Sequence, residues 1–335
     1  MKGTCLATPN IAVIKYWGKR DNALNLPMNG SFSVTMDESL RTVTTVAFDA
    51  SLAKDMLTLN GKMAMEGEVA RASKVLDAIR KEAGMKAKAR VSSTNNFPTA
   101  AGIASSASGF AALACAGADA AGLDATSREL SIFARLGSGS ACRSVLGGFV
   151  EWKMGGKKDG SDSYAVQVAP APHWPELRNV IAIVDAGRKK VGSAHGMEIT
   201  AKTSGLYKER VRLMPKKIAD MRKAVLGRDL ESFLVIAMRE SSSLHAVMLD
   251  SFPPIIYLND VSREVMNAVL EYNEQKGEIC AGYTFDAGPN AHVYTIAKYE
   301  GEIKKLLGDI GGVQKILVCK PGNGPRKLSE REALF

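Results

Sequence analysis

Asn96-Phe97-Pro98-Thr99-Ala100-Ala101-Gly102-Ile103-Ala104-Ser105-Ser106-Ala107-Ser108-Gly109 is a turn of small residues that runs straight into an alanine-rich segment, residues 110–121. Small residues let a backbone come close to a ligand. The first N–H groups of a helix have no partner inside it and point past its end. Together these features make an anion site, most commonly for phosphate. The stretch lacks the Gly-Lys-Ser/Thr ending of the common nucleotide loop, so a nucleotide held here would sit in a different architecture. A serine-capped helix packed through Ala and Gly would read the same way.

Working outward, residues 87–92 read as a strand leading into this turn, and residues 67–83 have helical periodicity. Residues 6–14, 31–36 and 42–48 read as strands, and 56–62 as a strand entering a hairpin turn. A helix is predicted over 127–136, then strands over 147–152 and 164–168 around a polar turn. The proline-rich Ala169-Pro170-Ala171-Pro172-His173-Trp174-Pro175 breaks the pattern and marks a domain junction. Beyond it the pattern predicts a strand at 179–185 and two or three helices from about 203 to 249. A helix at 262–276, a strand pair at 279–285 and 291–296, a helix at 300–307 and a strand at 315–319 follow. Strands and helices without strict alternation predict an α+β class for both halves. A length of 335 residues favours two domains, drawn here at 1–177 and 178–335.

A hydrophobic content of 46% with 24% charged residues is that of a soluble globular chain. No apolar run approaches the roughly 18–20 residues of a membrane span, and Met1-Lys2-Gly3-Thr4-Cys5 leads directly into a strand, so no signal peptide is expected. The five cysteines are scattered without metal-type spacing, which predicts a reduced, cytoplasmic protein. The net charge of +9 admits nucleic acid, anionic membrane or a small polyanion. Basic residues form only short runs, and no aromatics interleave with them as single-strand binders require. The reading is a small polyanionic substrate, with neither nucleic acid nor membrane as partner.

Three further segments concentrate polar residues beside small ones. In Asn10-Ile11-Ala12-Val13-Ile14-Lys15-Tyr16-Trp17-Gly18-Lys19 an apolar strand ends on a lysine. A buried ammonium needs a partner or loses its charge, whereas a strand-end lysine can also simply reach solvent. Gly137-Ser138-Gly139-Ser140-Ala141-Cys142-Arg143-Ser144 offers three hydroxyls, free N–H groups and one guanidinium that fits a carboxylate or phosphate with two hydrogen bonds; an ordinary flexible turn has the same composition. Tyr283-Thr284-Phe285-Asp286-Ala287-Gly288-Pro289-Asn290 places a single acid at the tip of an apolar strand pair, which alone reads as an Asx-turn. A phosphate loop, a lysine, an oxyanion turn and a lone acid are together the parts that phosphoryl transfer requires.

These four segments, in this order, resemble the mevalonate diphosphate decarboxylases of the GHMP kinase superfamily. The phosphate loop carries only the superfamily; the Lys-Tyr-Trp-Gly-Lys and Gly-Ser-Gly-Ser-Ala-Cys-Arg texts are those of the decarboxylases, and the likeness reaches to Gly322-Asn323-Gly324-Pro325. The resemblance implies a cytosolic homodimer with a two-domain GHMP-kinase fold: an N-terminal domain with a left-handed βαβ element and a ferredoxin-like C-terminal domain. It implies ATP and Mg²⁺ in the cleft, and conversion of mevalonate 5-diphosphate to isopentenyl diphosphate, CO₂, ADP and phosphate. Asp286 matches the acid acting on the 3-hydroxyl, Lys15 its neighbour, whose charge would lower the acid's pKa, and Arg143 the grip on the substrate carboxylate. Tyr16, Lys19, Ser138, Ser140, Ser193 and Ser204 match the diphosphate set. Pro98, Ala101, Gly102, Ala104, Ser105, Ser106 and Ser108 match the ATP loop, with Ser106 at the metal. Gly205 stands where bacterial members carry an arginine, with Lys202, Lys208 or Arg210 as substitutes. Relatives acting on a mono- or bisphosphate, or phosphorylating without decarboxylation, are the alternatives; the latter lack the Asp/Lys pair. An RNA-binding module would leave Asp286 and Arg143 without a role.

Overall fold

The computed structural model describes residues 2–97, 105–184 and 191–335. Its helices are α1 (Glu66–Glu82), α2 (Ser105–Ala120), α3 (Ser127–Gly137), α4 (Ser193–Thr203), α5 (Tyr207–Gly227), α6 (Leu230–Leu249), α7 (Asp260–Lys276) and α8 (Glu300–Gly308). Local chemistry sets several of their ends. Thr126 and Glu129 form a capping box on α3, and Gly277, at φ 69°, closes α7 in the left-handed conformation that glycine adopts freely.

Among the described residues three sheets of four or more strands organise the chain, beside a two-stranded ribbon of Lys19–Asp21 and Leu26–Pro27. A six-stranded sheet runs Arg326–Lys327, Lys2–Ala7, Thr42–Asp49, Lys88–Asn95, Met56–Leu59, Lys62–Met63. Within it Met56–Leu59 and Lys88–Asn95 are parallel neighbours joined through α1, which makes a βαβ unit. A four-stranded sheet runs Ala165–Ala169, Phe149–Trp152, Ser31–Thr35, Asn10–Ile14. The third runs Gly282–Phe285, Ala291–Ile296, Leu177–Ile183, Lys315–Cys319, antiparallel throughout. Its last strand and Ala291–Ile296 have the bounds the sequence predicts. The α+β class holds in both halves.

Residues 6–14 are not one strand. Thr8 and Pro9 interrupt it, and the chain crosses there from the six-stranded to the four-stranded sheet. Pro9 has no N–H to give to a ladder, and its carbonyl accepts from Met36 N–H instead (2.9 Å). Helix α4 also lies earlier than the helical region expected from about residue 203.

Apolar faces pair the layers. Val75, Leu76, Ile79, Phe110 and Leu113 pack α1 and α2 on the six-stranded sheet. Ile11, Phe32, Val34 and Phe149 of the four-stranded sheet meet Ile181, Ile183, Tyr294 and Phe233 of the second half. The opposite face of the third sheet is covered by α7 and α8 through Val265, Val269, Ile303 and Leu307. The ends of Asn10–Ile14 and Gly282–Phe285 are thereby brought together across the two halves.

Candidate active site

Asn10–Ile14 is buried at every position and carries a bulge between Ala12 and Ile14. Lys15 follows immediately. Its side chain is 2% exposed, and its Nζ lies 2.7 Å from Asp286 Oδ1, on a side chain 31% exposed. Burial pulls the Lys15 ammonium below its ordinary value; Asp286, then Glu240, oppose that fall, and Arg143 adds to it. The lysine that the sequence left between solvent and burial is therefore buried and paired.

The Asp286 turn is tied at several points. Phe285 N–H donates to Ser241 Oγ (2.9 Å) on α6. Gly288 N–H donates to the Asp286 carbonyl (2.8 Å), and Val184 N–H donates to Asn290 Oδ1 (2.7 Å). His245 of α6 stands edge-on to Phe285, centroids 6.2 Å apart. Burial holds its imidazole down to about 4, so it stays neutral beside the Lys15–Asp286 pair.

Arg143 closes the 3₁₀ turn Gly139–Cys142 and is itself buried. Its Nε donates to Asn10 Oδ1 (3.1 Å) and its Nη1 to Ser31 Oγ (2.6 Å); Nη2 takes part in neither bond. Asn10 Nδ2 in turn donates to the Ser140 carbonyl (3.1 Å) and Ser144 Oγ (2.7 Å). Asn10 thus locks the oxyanion turn to the strand that carries Lys15. The hydroxyls of Ser106, Ser138 and Ser140 form a string, 3.3 Å between successive oxygens.

Asn10, Asp286 and the serine string line a cavity of about 710 Å³ together with Tyr16, Lys19, Arg71, Lys74, Ser105 and Ser193, whereas Lys15 and Arg143 are buried and are not among its lining residues. Lys19 Nζ donates to Asn25 Oδ1 (2.6 Å), whose Nδ2 caps the end of α3 on the Arg135 and Leu136 carbonyls. Burial lowers the Lys19 ammonium, and Lys74 and Arg71 push it the same way. Asp286 is the sole carboxylate among the described lining residues. A cavity with three cations among its described residues, a serine string and the N-terminal residues of α2 and α4 on its wall suits a polyanion. Gly18, at φ 93°, keeps the wall in shape: a Cβ there would meet Tyr207 Oη at 1.7 Å.

Besides Lys15 and Arg143, two more of the expected residues are not on the cavity wall. Ser204 caps the far end of α4 and its Oγ donates to Asp250 Oδ2 (2.7 Å). Ser108 is buried behind α2 against Thr42 Oγ1 (2.6 Å). The substitutes for the Gly205 position are engaged or turned outward: Lys202 pairs with Glu198, Lys208 is exposed and Arg210 is buried against Glu240. Pro98, Ala101, Gly102 and Ala104 lie outside the described residues. Asn10, Arg71 and Lys74 are lining residues to which the sequence reading gave no role. The signals were present: a polar residue opening an all-apolar strand, and two cations an (i, i+3) step apart on a helix.

Among the described residues no group of three His, Cys, Asp or Glu converges as a metal cage. Mg²⁺ needs none when phosphate oxygens and water complete its shell, and the Ser105 and Ser106 hydroxyls at the cavity wall fit that donor set.

Residues 7–165 match the diphosphomevalonate decarboxylase-like N-terminal domain, and residues 179–315 the mevalonate 5-diphosphate decarboxylase C-terminal domain. The diphosphomevalonate decarboxylase of Eremothecium gossypii is 47% identical over 319 residues, 91% of this chain and 80% of that protein. This chain belongs to the diphosphomevalonate decarboxylase family. The solved mevalonate diphosphate decarboxylase from Enterococcus faecalis, described by a mevalonate diphosphate mediated ATP binding mechanism, is similar at 34% identity and TM-score 0.89, covering 98% of this chain and 99% of its own. A solved structure of MDDEF in complex with MVAPP, AMPPCP and magnesium is 35% identical with TM-score 0.89, at the same coverage. The two-domain GHMP-kinase architecture expected from the sequence is that of these decarboxylases.

Proposed function

We propose that this decarboxylase converts mevalonate 5-diphosphate and ATP to isopentenyl diphosphate, CO₂, ADP and phosphate. The observation that carries the reading is the pairing of buried Lys15 with the one carboxylate among the described residues of a cationic cavity. Asp286 takes the proton of the tertiary 3-hydroxyl as that oxygen attacks the γ-phosphorus of ATP. Phosphoryl transfer through a loose transition state asks mainly for positioning and charge neutralisation. The Ser105/Ser106 end of α2 serves the nucleotide, and Lys19, Tyr16, Ser138, Ser140 and Ser193 serve the diphosphate. Arg71 and Lys74 add positive charge at the same wall. When bound at the Ser106 hydroxyl, Mg²⁺ supplies charge neutralisation at the phosphates.

The 3-phosphate then leaves with its bonding pair and a tertiary cation remains. The electrons of the bond to the carboxyl carbon form the new double bond, and CO₂ departs. Arg143 holds the carboxylate in line while Asn10 and Ser31 fix its guanidinium. No electron-sink cofactor is needed, because the cation is the sink. The same reading carries a cytoplasmic homodimer that handles small molecules, divided at 1–177 and 178–335; the five unpaired thiols support the reducing compartment.

A substrate panel tests it: mevalonate, its 5-phosphate, its 3,5-bisphosphate and its 5-diphosphate, each with ATP, following ADP and CO₂ together. Stoichiometric ADP and CO₂ from the 5-diphosphate is expected. ADP without CO₂, or preference for another member of the panel, refutes it.

A further inference from the structure

The backbone of Lys15 is held by two side chains from the other half of the molecule and one from its own. Its N–H donates to Glu240 Oε1 (3.2 Å) on α6. Its carbonyl accepts from Arg210 Nη2 (3.3 Å) on α5 and from Asn29 Nδ2 (3.0 Å). Arg210 and Glu240 pair directly, with side chains 2% and 0% exposed. Lys217 Nζ closes the second carboxylate oxygen of Glu240 (2.6 Å). The strand has just ended at Ile14, so without these partners the Lys15 peptide groups would be buried and unsatisfied.

We propose that the Glu240–Arg210 pair is a positioning device for Lys15, fixing its backbone so that its ammonium meets Asp286. A buried ion pair contributes little net stability, because desolvation offsets its attraction. A neutral donor and acceptor would satisfy the same peptide groups at lower cost. The charge adds a field: burial and Arg143 pull the Lys15 ammonium down, and Glu240 stands with Asp286 in opposing them. The charged and titratable groups facing Lys15 are Asp286, Glu240, Arg210, Lys217, Arg143 and the two histidines His245 and His292. Both histidines are held near 4 by burial and stay neutral. Among the described residues, Glu240 is therefore the negative charge that acts on Lys15 besides the reacting acid. Because α5 and α6 follow the junction and Lys15 precedes it, the device makes the placement of Lys15 depend on how the halves meet.

The inference rests on Lys15–Asp286 being the reacting pair, so the full-length enzyme, Asp286→Asn, Glu240→Gln and Glu240→Asp are compared. The readouts are kcat against pH and affinity for a non-hydrolysable ATP analogue. Protonated Lys15 is the working form, so activity falls as pH rises through its pKa. Glu240→Gln removes a group that holds that pKa up, and the basic limb of kcat moves down by about one pH unit. Its kcat drops about 10- to 100-fold with analogue affinity unchanged. Glu240→Asp keeps the charge but shortens the reach: the limb stays and kcat falls. A wild-type limb and kcat in Glu240→Gln overturn the proposal, as does a loss of kcat matched by lost analogue binding. If Glu240→Gln does not fold, wild-type kcat in Glu240→Asp overturns it. An active Asp286→Asn instead refutes the underlying reading of the site.

Discussion

Replacing Asp286 by asparagine tests the site most directly. The amide has nearly the carboxylate's shape and can keep its Oδ1 against Lys15 Nζ, 2.7 Å away in the native pair. It cannot take a proton. Losing a positioned general base costs about 10²–10⁴ in rate, which is roughly 3–5 kcal/mol of barrier. The stability cost is smaller. Lys15 is almost fully buried, but Asp286 is 31% exposed, so solvent screens their attraction. A loss of about 1 kcal/mol is expected. Burial of Lys15 is then opposed by Glu240 alone, and the ammonium falls further. The assay follows ADP by a coupled enzyme and CO₂ by a labelled carboxylate, with analogue binding by calorimetry. Because the proton leaves before or with phosphoryl transfer, both products fall together while the analogue still binds. A kcat within about tenfold of wild type, or ADP formed at the native rate without CO₂, refutes the assignment.

Arg143→Lys retains the charge but not the planar donors that reach Asn10 and Ser31. A fall of about 10- to 100-fold in kcat/KM is expected, and unchanged kinetics would end its role at the carboxylate. Ser204→Ala changes KM for the diphosphate substrate by less than about twofold, since the hydroxyl serves Asp250; a tenfold rise would return Ser204 to the site. Gly137→Ala drives a Cβ to 2.0 Å from Phe110 Cδ1, on the residue before Ser138. Overpacking of this kind costs about 1–3 kcal/mol, so thermal unfolding shifts down and kcat falls with it; a native melting curve contradicts the packing argument.

The parts of this site that were legible in the sequence are those fixed by neighbours in the chain. Asp286 sits in a short turn between two apolar strands and Lys15 ends an unbroken apolar run, so their places in the fold followed from local pattern, while their roles came from the family resemblance. Glu240, Arg210 and Asn29 were not legible. Each stands in a segment that reads as ordinary polar helix or loop, and its meaning comes from a partner 14 to 225 residues away. Helix α4 was missed for a related reason. Its Gly196 and Thr200 are weak helix formers. What holds it is tertiary: Gly196 lies where a Cβ would stand 2.9 Å from Tyr257 Oη and 3.2 Å from Trp17. Ser204 was misplaced because sequence distance from Ser193 says nothing about which end of an eleven-residue helix faces the cavity.

The strand Arg326–Lys327 lies against Lys2–Ala7, with Cys5 opposite Lys327 and Leu6 opposite Arg326. That pairing bears on synthesis. A ribosome delivers the amino-terminal half first, yet one edge of its six-stranded sheet is covered only when residues more than three hundred positions later have emerged. Contacts of such separation form late and slowly. Until then the Lys2–Ala7 strand presents open N–H and C=O groups, a surface on which another nascent chain could pair. The short strand Arg326–Lys327 therefore acts as the closing stitch of the sheet to which Lys2–Ala7 belongs.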